Sequence, residues 1–242
     1  MNNTIRSVAL GLGFAMAGMA GSAQAATWQL TYEAPGVVNT TSTFTSYGVE
    51  TFDGLATGTQ TYTSTYGGSP YSGTYSKVQV LGFDQYGGAG GSGNYANGNV
   101  SGYSLSLATD VNYFGFWLSA LNTGNVLTFK QNGQVVGVFD AGNIISAAVQ
   151  SNPAYKGNPA GLHKGKVMDA EYVFVNFYLT DGYFDALSFA TPYGTGFESD
   201  NHTVGIYATQ SGTPVSVPEP GMASLLALGL ASMGALRRRQ RA

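Results

Sequence analysis

Apolar residues recur at every second position through most of the chain. Trp28, Leu30 and Tyr32 alternate with polar residues, as do Val78 and Val80, and Tyr103, Leu105 and Leu107 alternate with serine or alanine. A period of two is the signature of a half-buried strand. Tyr113-Phe114-Gly115-Phe116-Trp117-Leu118 is nearly continuous and fits a strand buried on both faces. Leu127/Phe129 and Val136/Val138 flank Asn132-Gly133, the pair that a type I′ hairpin turn requires because both central residues need positive φ. Residues 172–179 and 184–189 read as a second hairpin around Asp181-Gly182, and 203–208 as a closing strand. Residues 142–150 suit a short helix or a strand equally. The Thr/Ser/Tyr/Gly-rich stretch 40–76 is read as polar strands with long turns rather than one loop. Residues 87–98, with six glycines, and 151–168 are read as loops. The pattern predicts an all-β domain at 26–212, an antiparallel β-sandwich of jelly-roll type.

The two ends break the pattern. Arg6, the apolar run 8–19 and Ala23-Gln24-Ala25 have the order of a secretory signal, with cleavage after Ala25. At the other end Val217-Pro218-Glu219-Pro220 precedes sixteen uncharged residues, 221–236, and then Arg237, Arg238, Arg239 and Arg241. Sixteen residues make about 24 Å of helix. That is short for a bilayer core of about 30 Å, but arginines that snorkel make up the difference. The basic cluster should stay cytoplasmic, which holds the domain outside the inner membrane.

Composition sharpens this picture. Only 10% of the 242 residues are charged, and there is no cysteine, which excludes disulfide scaffolds, cysteine zinc sites and thiol chemistry. All five arginines lie in the two end segments. Residues 26–217 hold five lysines against twelve acids, leaving −7. An acidic, arginine-free domain is a poor partner for nucleic acid or anionic polymer.

The Val217–Pro220 box, the small-residue apolar segment and the arginine-rich end, in that order, resemble the PEP-CTERM sorting signal of exosortase substrates. The resemblance implies a transmembrane sorting segment within 213–242 and cleavage by an exosortase near Pro218-Glu219-Pro220. It also implies a Gram-negative host that makes exopolysaccharide, and a product at the cell surface. Residues 112–117, 157–159, 172–177 and 196–202 further resemble blocks of an exosortase-dependent surface-protein family that has no assigned reaction, so no catalytic residue is implied.

Candidate chemistry within the domain is sparse. Residues 88–93 spell G-x-G-x-x-G, but Asn94-Tyr95-Ala96-Asn97-Gly98 follows where a dinucleotide site needs a helix. There is no G-x-S-x-G and no H-E-x-x-H. His163 sits among lysines, and His202 is the better-placed of the two histidines. Glu198, Asp200, Asn201, Asp181 and Asp185 form the candidate oxygen-ligand set for calcium, against the alternative that they cap turns. Tyr62, Tyr66, Tyr71 and Tyr75 could stack on sugar rings or simply pack in strands. The expectation is a non-enzymatic surface or matrix protein associated with exopolysaccharide. The alternatives are a calcium-dependent carbohydrate-binding module and a polysaccharide-modifying enzyme, the latter requiring two of these acids in one cleft.

Overall fold

The computed structural model describes residues 26–121, 124–192 and 196–215. Ala23, Ala25, Val217–Pro220 and the arginines 237–239 and 241 lie outside the described residues, as does the apolar segment between them.

The described chain is mostly antiparallel β-structure. In chain order the strands are β1 (Trp28–Tyr32), β2 (Thr43–Glu50), β3 (Gly58–Ser64), β4 (Gly73–Gly82), β5 (Asn94–Asn97), β6 (Tyr103–Val111), β7 (Tyr113–Leu118), β8 (Val126–Gln131), β9 (Gln134–Asp140), β10 (Val173–Leu179), β11 (Phe184–Ala190), β12 (Glu198–Thr209) and β13 (Thr213–Val215). They hydrogen-bond in the order β13-β1-β10-β7-β12-β5-β4-β6-β11-β8-β9, with β2 added to β12 and β3 to β4. This one sheet curls until its two ends face each other. Phe177 on β10 meets Phe129 on β8 at 5.4 Å and Phe139 on β9 at 5.3 Å, and Trp28 on β1 meets Phe129 at 4.5 Å. Each fully buried Phe contributes about 1.5–3 kcal/mol of transfer free energy, so this aromatic seam holds the curl. Among the described residues the one α-helix is α1 (Ala141–Val149), which contacts both β9 and β13. Asp140 caps it by accepting from the Asn143 N–H, and Ala141, Ile145 and Val149, spaced by four, turn inward.

Three sequence expectations need correction. The strands 173–179 and 184–190 exist, but they are not a hairpin: β10 pairs with β1 and β7, and β11 with β6 and β8. Neither Asp181 nor Gly182 has the positive φ that a two-residue turn needs, and the connection arches from one layer to the other. At Asn132-Gly133 both residues do, at 50° and 78°, and the hairpin there forms as expected. The glycine-rich stretch 87–98 ends in a strand, β5, rather than in loop. The sheet also runs past residue 212, since β13 pairs with β1.

Strands β7 and β10 are buried throughout because segments 33–42, 83–93 and 153–172 roof their outer face. Trp117, Ala120, Ala170, Tyr172 and Phe174 form a second apolar cluster beneath this roof, with Val38, Ala89 and Val167 packed on it. Gly115 is obligatory there, because a Cβ would lie 2.0 Å from the Tyr113 hydroxyl oxygen.

Register places both ends of the described residues, the chain ends below, at one pole. Trp28 lies opposite Leu179, and Val215 lies opposite Leu30, pointing toward the same end. Leu118 and Val173 pair at the other pole, next to Ser199. Residues 173 and 179 on β10 are six apart, about 20 Å at the strand rise of about 3.3 Å per residue.

Candidate functional site

The start of β12 is the most unusual stretch of the molecule. Asp200 pairs with Trp117 and Thr203 with Gly115, so Asn201 and His202 together oppose the single residue Phe116. This is a β-bulge, and Asn201 takes the left-handed φ of 49° that asparagine tolerates. The extra residue turns Ser199 and His202, three apart, to the same inward face. Asp200 and Asn201 turn to the roof.

Inside, His202 Nδ1 meets the Tyr75 hydroxyl at 3.0 Å and Nε2 meets Ser199 Oγ at 3.0 Å. Tyr75 also bonds the Tyr66 hydroxyl at 3.0 Å, and Ser199 the Tyr103 hydroxyl at 2.9 Å. Phe52, Phe114 and Phe189 pack around the imidazole at 4.9–5.3 Å. Burial pushes the His202 pKa down to about 3, so the ring is neutral. Burial likewise raises the pKa of Tyr66, Tyr75 and Tyr103. A serine bonded to a histidine has the composition of a nucleophile and its base, but both are wholly buried and no substrate can approach them. Tyr66, Tyr71 and Tyr75 are therefore core residues rather than a sugar-stacking platform. Tyr62 is spent on stacking against Tyr75 at 5.2 Å.

On the roof side Asp200 clasps the glycine-rich loop. Its Oδ2 accepts from the Ala89 N–H at 2.7 Å and its Oδ1 from the Asn201 N–H at 2.6 Å. Asn201 Nδ2 donates to the Val38 carbonyl. Burial raises the Asp200 pKa to about 7 against these two N–H donors, helped by the Asp53 and Glu50 charges. The G-x-G-x-x-G stretch is this clasped loop, with positive φ at Gly88, Gly90, Gly91 and Gly93. Single 3₁₀ turns, not a longer helix, occupy it and the 153–163 region.

Beside the clasp lies a cleft of about 680 Å³, at the pole away from the chain ends, lined by Gln85, Tyr86, Ala120, Leu121, Asp169 and Glu198 among others. The loop wall is fixed. Tyr172 donates its hydroxyl to the Gln85 carbonyl at 2.6 Å, and Asp84 Oδ1 accepts from the Tyr86 N–H at 2.8 Å and from the Tyr95 hydroxyl at 3.2 Å. The other wall is strained: Ala120 and Val167 hold φ of 47° and 54°, and for a β-branched residue such a value is an outlier. Glu198 Oε2 is buried with no hydrogen-bond partner among the described residues. Burial raises the Glu198 pKa to about 7, its own backbone N–H offsetting part of this and Asp84 adding to it. Gly196 packs against the same carboxylate, where a Cβ would lie 2.1 Å from Oε1.

The remaining candidates lie elsewhere. Asp181 Oδ1 accepts from the Thr27 N–H at 2.8 Å, at the pole of the chain ends, and Asp185 Oδ2 accepts from the Asn132 N–H at 2.9 Å, bracing the hairpin turn. Of the five proposed calcium ligands, Glu198, Asp200 and Asn201 stay together only as neighbours on β12, and no group of three His, Cys, Asp or Glu that could hold a metal occurs among the described residues. His163 sits edge-on to Phe83 at 5.8 Å.

Sequence reasoning missed two groups. Asp84 and Tyr86 build the cleft but lie between the Val78/Val80 strand and the glycine-rich loop, where no pattern marks them. Glu33, a buried carboxylate, accepts from Thr41, Ser211 and Asn176, and Asn176 in turn accepts from the Tyr113 hydroxyl at 2.7 Å. The isolated Asn in the apolar run 172–179 was the visible sign that a polar partner waited inside.

Residues 216–240 match the model of the PEP-CTERM protein-sorting motif. No curated protein and no solved structure matches the chain.

Proposed function

We propose, on the premise that the chain is a PEP-CTERM sorting-motif protein and so an exosortase-targeted bacterial surface protein, that its β domain is a non-enzymatic structural or adhesive component of the exopolysaccharide matrix. In this reading residues 1–25 are a signal peptide, 221–236 hold the precursor in the inner membrane of a Gram-negative cell, and cleavage near Pro218-Glu219-Pro220 frees the domain. The sorting motif carries the reading. The −7 charge of residues 26–217 favours neutral polymers as partners. Two observations weigh against chemistry. The Ser199–His202 pair is sealed in the core, and of the acids first suspected of glycoside cleavage Asp181 and Asp185 are engaged elsewhere and Asp200 accepts from the Ala89 and Asn201 N–H groups, which leaves Glu198 alone. A carbohydrate-binding module is the second reading, favoured by the polar cleft beside Glu198.

Intact-mass measurement of the protein recovered from its host, with and without the exosortase, tests the leading reading. The expected product begins at Ala26 and ends near residue 218. Replacing Pro218-Glu219-Pro220 by alanines should leave the full tail in place. A full-length cytosolic product would refute it.

A further inference from the structure

We propose that the cleft beside Glu198 is a binding site for a neutral, hydroxyl-rich saccharide unit, with the Tyr86 ring as stacking face and the cleft-facing edge of the Glu198 carboxylate accepting a ligand hydroxyl. The inference deepens the matrix-associated reading above and rests on it.

Size, rigidity and chemistry agree. A volume of about 680 Å³ lies within the range of small-ligand sites, about 300–1,000 Å³. Tyr86 keeps 43% of its surface exposed although its backbone is pinned by Asp84, so the ring is presented rather than packed. An aromatic face with a polar rim suits the C–H faces and hydroxyls of a sugar ring. The opposite wall holds Ala120 and Val167 in left-handed conformations, which persist only where the surroundings enforce them. Here the Leu121 N–H is held by the Glu171 carbonyl and the Ala170 N–H by the Val167 carbonyl. Between the walls the partly exposed Glu198 lines the cleft, and its carboxylate, whose inner oxygen has no donor among the described residues, offers acceptor sites at its cleft-facing edge. A sugar hydroxyl donates there without adding charge.

Charge selects the ligand class. Glu198 and Asp169 line the cleft and Asp84 stands behind it, so a uronate or sulfated polymer would be repelled. A hard cation asks for six or more oxygens, and the described acids do not gather into such a group.

The test uses the full chain in detergent on immobilised neutral glucans, mannans and galactans, with polyuronates and calcium chloride as competing probes. Wild type is expected to bind a neutral glycan. Tyr86→Ala, which removes the stacking face, should weaken that binding several-fold, and Glu198→Ala, which removes the acceptor, by about tenfold or more, the scale of a hydrogen bond to a charged group. Tyr183→Ala, an equally exposed tyrosine at the other pole, should bind as wild type does. Glu198→Gln, which keeps the side-chain shape, should weaken binding too, and a single cooperative thermal transition in each variant shows that all of them fold. Equal binding by every variant overturns the cleft while leaving a saccharide-binding surface elsewhere. A preference for polyuronate, or displacement of the glycan by calcium, overturns the ligand class. Failure of wild type to bind any glycan overturns the site. The matrix reading is then judged separately, by whether the protein co-sediments with its host's exopolysaccharide.

Discussion

Individual side chains in this domain are tuned mainly by desolvation, and two of them give opposite pH signatures. The folded protein raises the Glu198 pKa from 4.5 to about 7, so the native state holds that proton more tightly than the unfolded chain. Its contribution therefore erodes stability as pH rises from the ordinary carboxylate range through about 7, and the loss is complete above that. Glu198→Gln should raise the thermal midpoint at pH 8 and leave it nearly unchanged at pH 5, measured by differential scanning fluorimetry. His202 behaves in the reverse sense. Its pKa falls from 6.5 to about 3, so its stabilising contribution is full above about 6.5 and disappears as pH falls toward 3. His202→Phe should flatten that acid limb in urea titrations at pH 7 and pH 4. At pH 7 it should cost about 2–4 kcal/mol, because the Tyr75 and Ser199 hydroxyls each lose a buried partner.

At the scale of elements, one inserted residue organises the candidate site. The bulge at Asn201 aims Ser199 and His202 inward, and Asp200 and Glu198 outward, within five residues of β12. Asn201→Gly keeps the left-handed φ and should cost little beyond the bond to Val38. Asn201→Val places a β-branched residue at φ 49° and should cost about 1–3 kcal/mol more, read from urea midpoints. A second bulge in β4 follows the same logic. Ser76 and Lys77 together oppose Thr61, with Lys77 at φ 60°, and this lets β4 pair with β6 before the bulge and with β5 after it. Neither bulge leaves a compositional mark, since each is defined by how two strands align. The Asn132-Gly133 hairpin is the contrasting case: both residues favour positive φ wherever they stand, so the turn could be read directly. Asp181-Gly182 is a turn signal of the same kind, yet its flanking strands were claimed by other partners.

At the scale of the whole molecule, the domain has two poles. Ala26 and Val215 leave from one, about 20 Å along the strands from the row where Leu118 meets Val173 beside the cleft. A precursor held by segments at both ends would rest on the pole of Asp181 and Tyr183 and present Tyr86 and Glu198 outward. The chain has no cysteine, so single-cysteine variants report cleanly. In spheroplasts carrying the unprocessed chain, a polyethylene-glycol maleimide should label Tyr86→Cys faster than Tyr183→Cys, and the processed protein should show no such difference. Equal rates before processing would show that the termini do not orient the domain.

Taken by itself, the sequence determined the strand-rich class, most strand positions, the Asn132-Gly133 turn, the arginine-free acidic domain and the sorting motif. Each is written in local periodicity, in residue-intrinsic φ preference or in a contiguous run. Only the tertiary structure decided that Tyr66, Tyr71 and Tyr75 are core, that the G-x-G-x-x-G stretch is a loop clasped by Asp200, and that Glu198 meets Tyr86 and Asp169 across a cleft. Those outcomes depend on which strands pair and on where the sheet curls. Such contacts form between residues far apart in the chain, and their energy comes from burial that no short window of sequence contains.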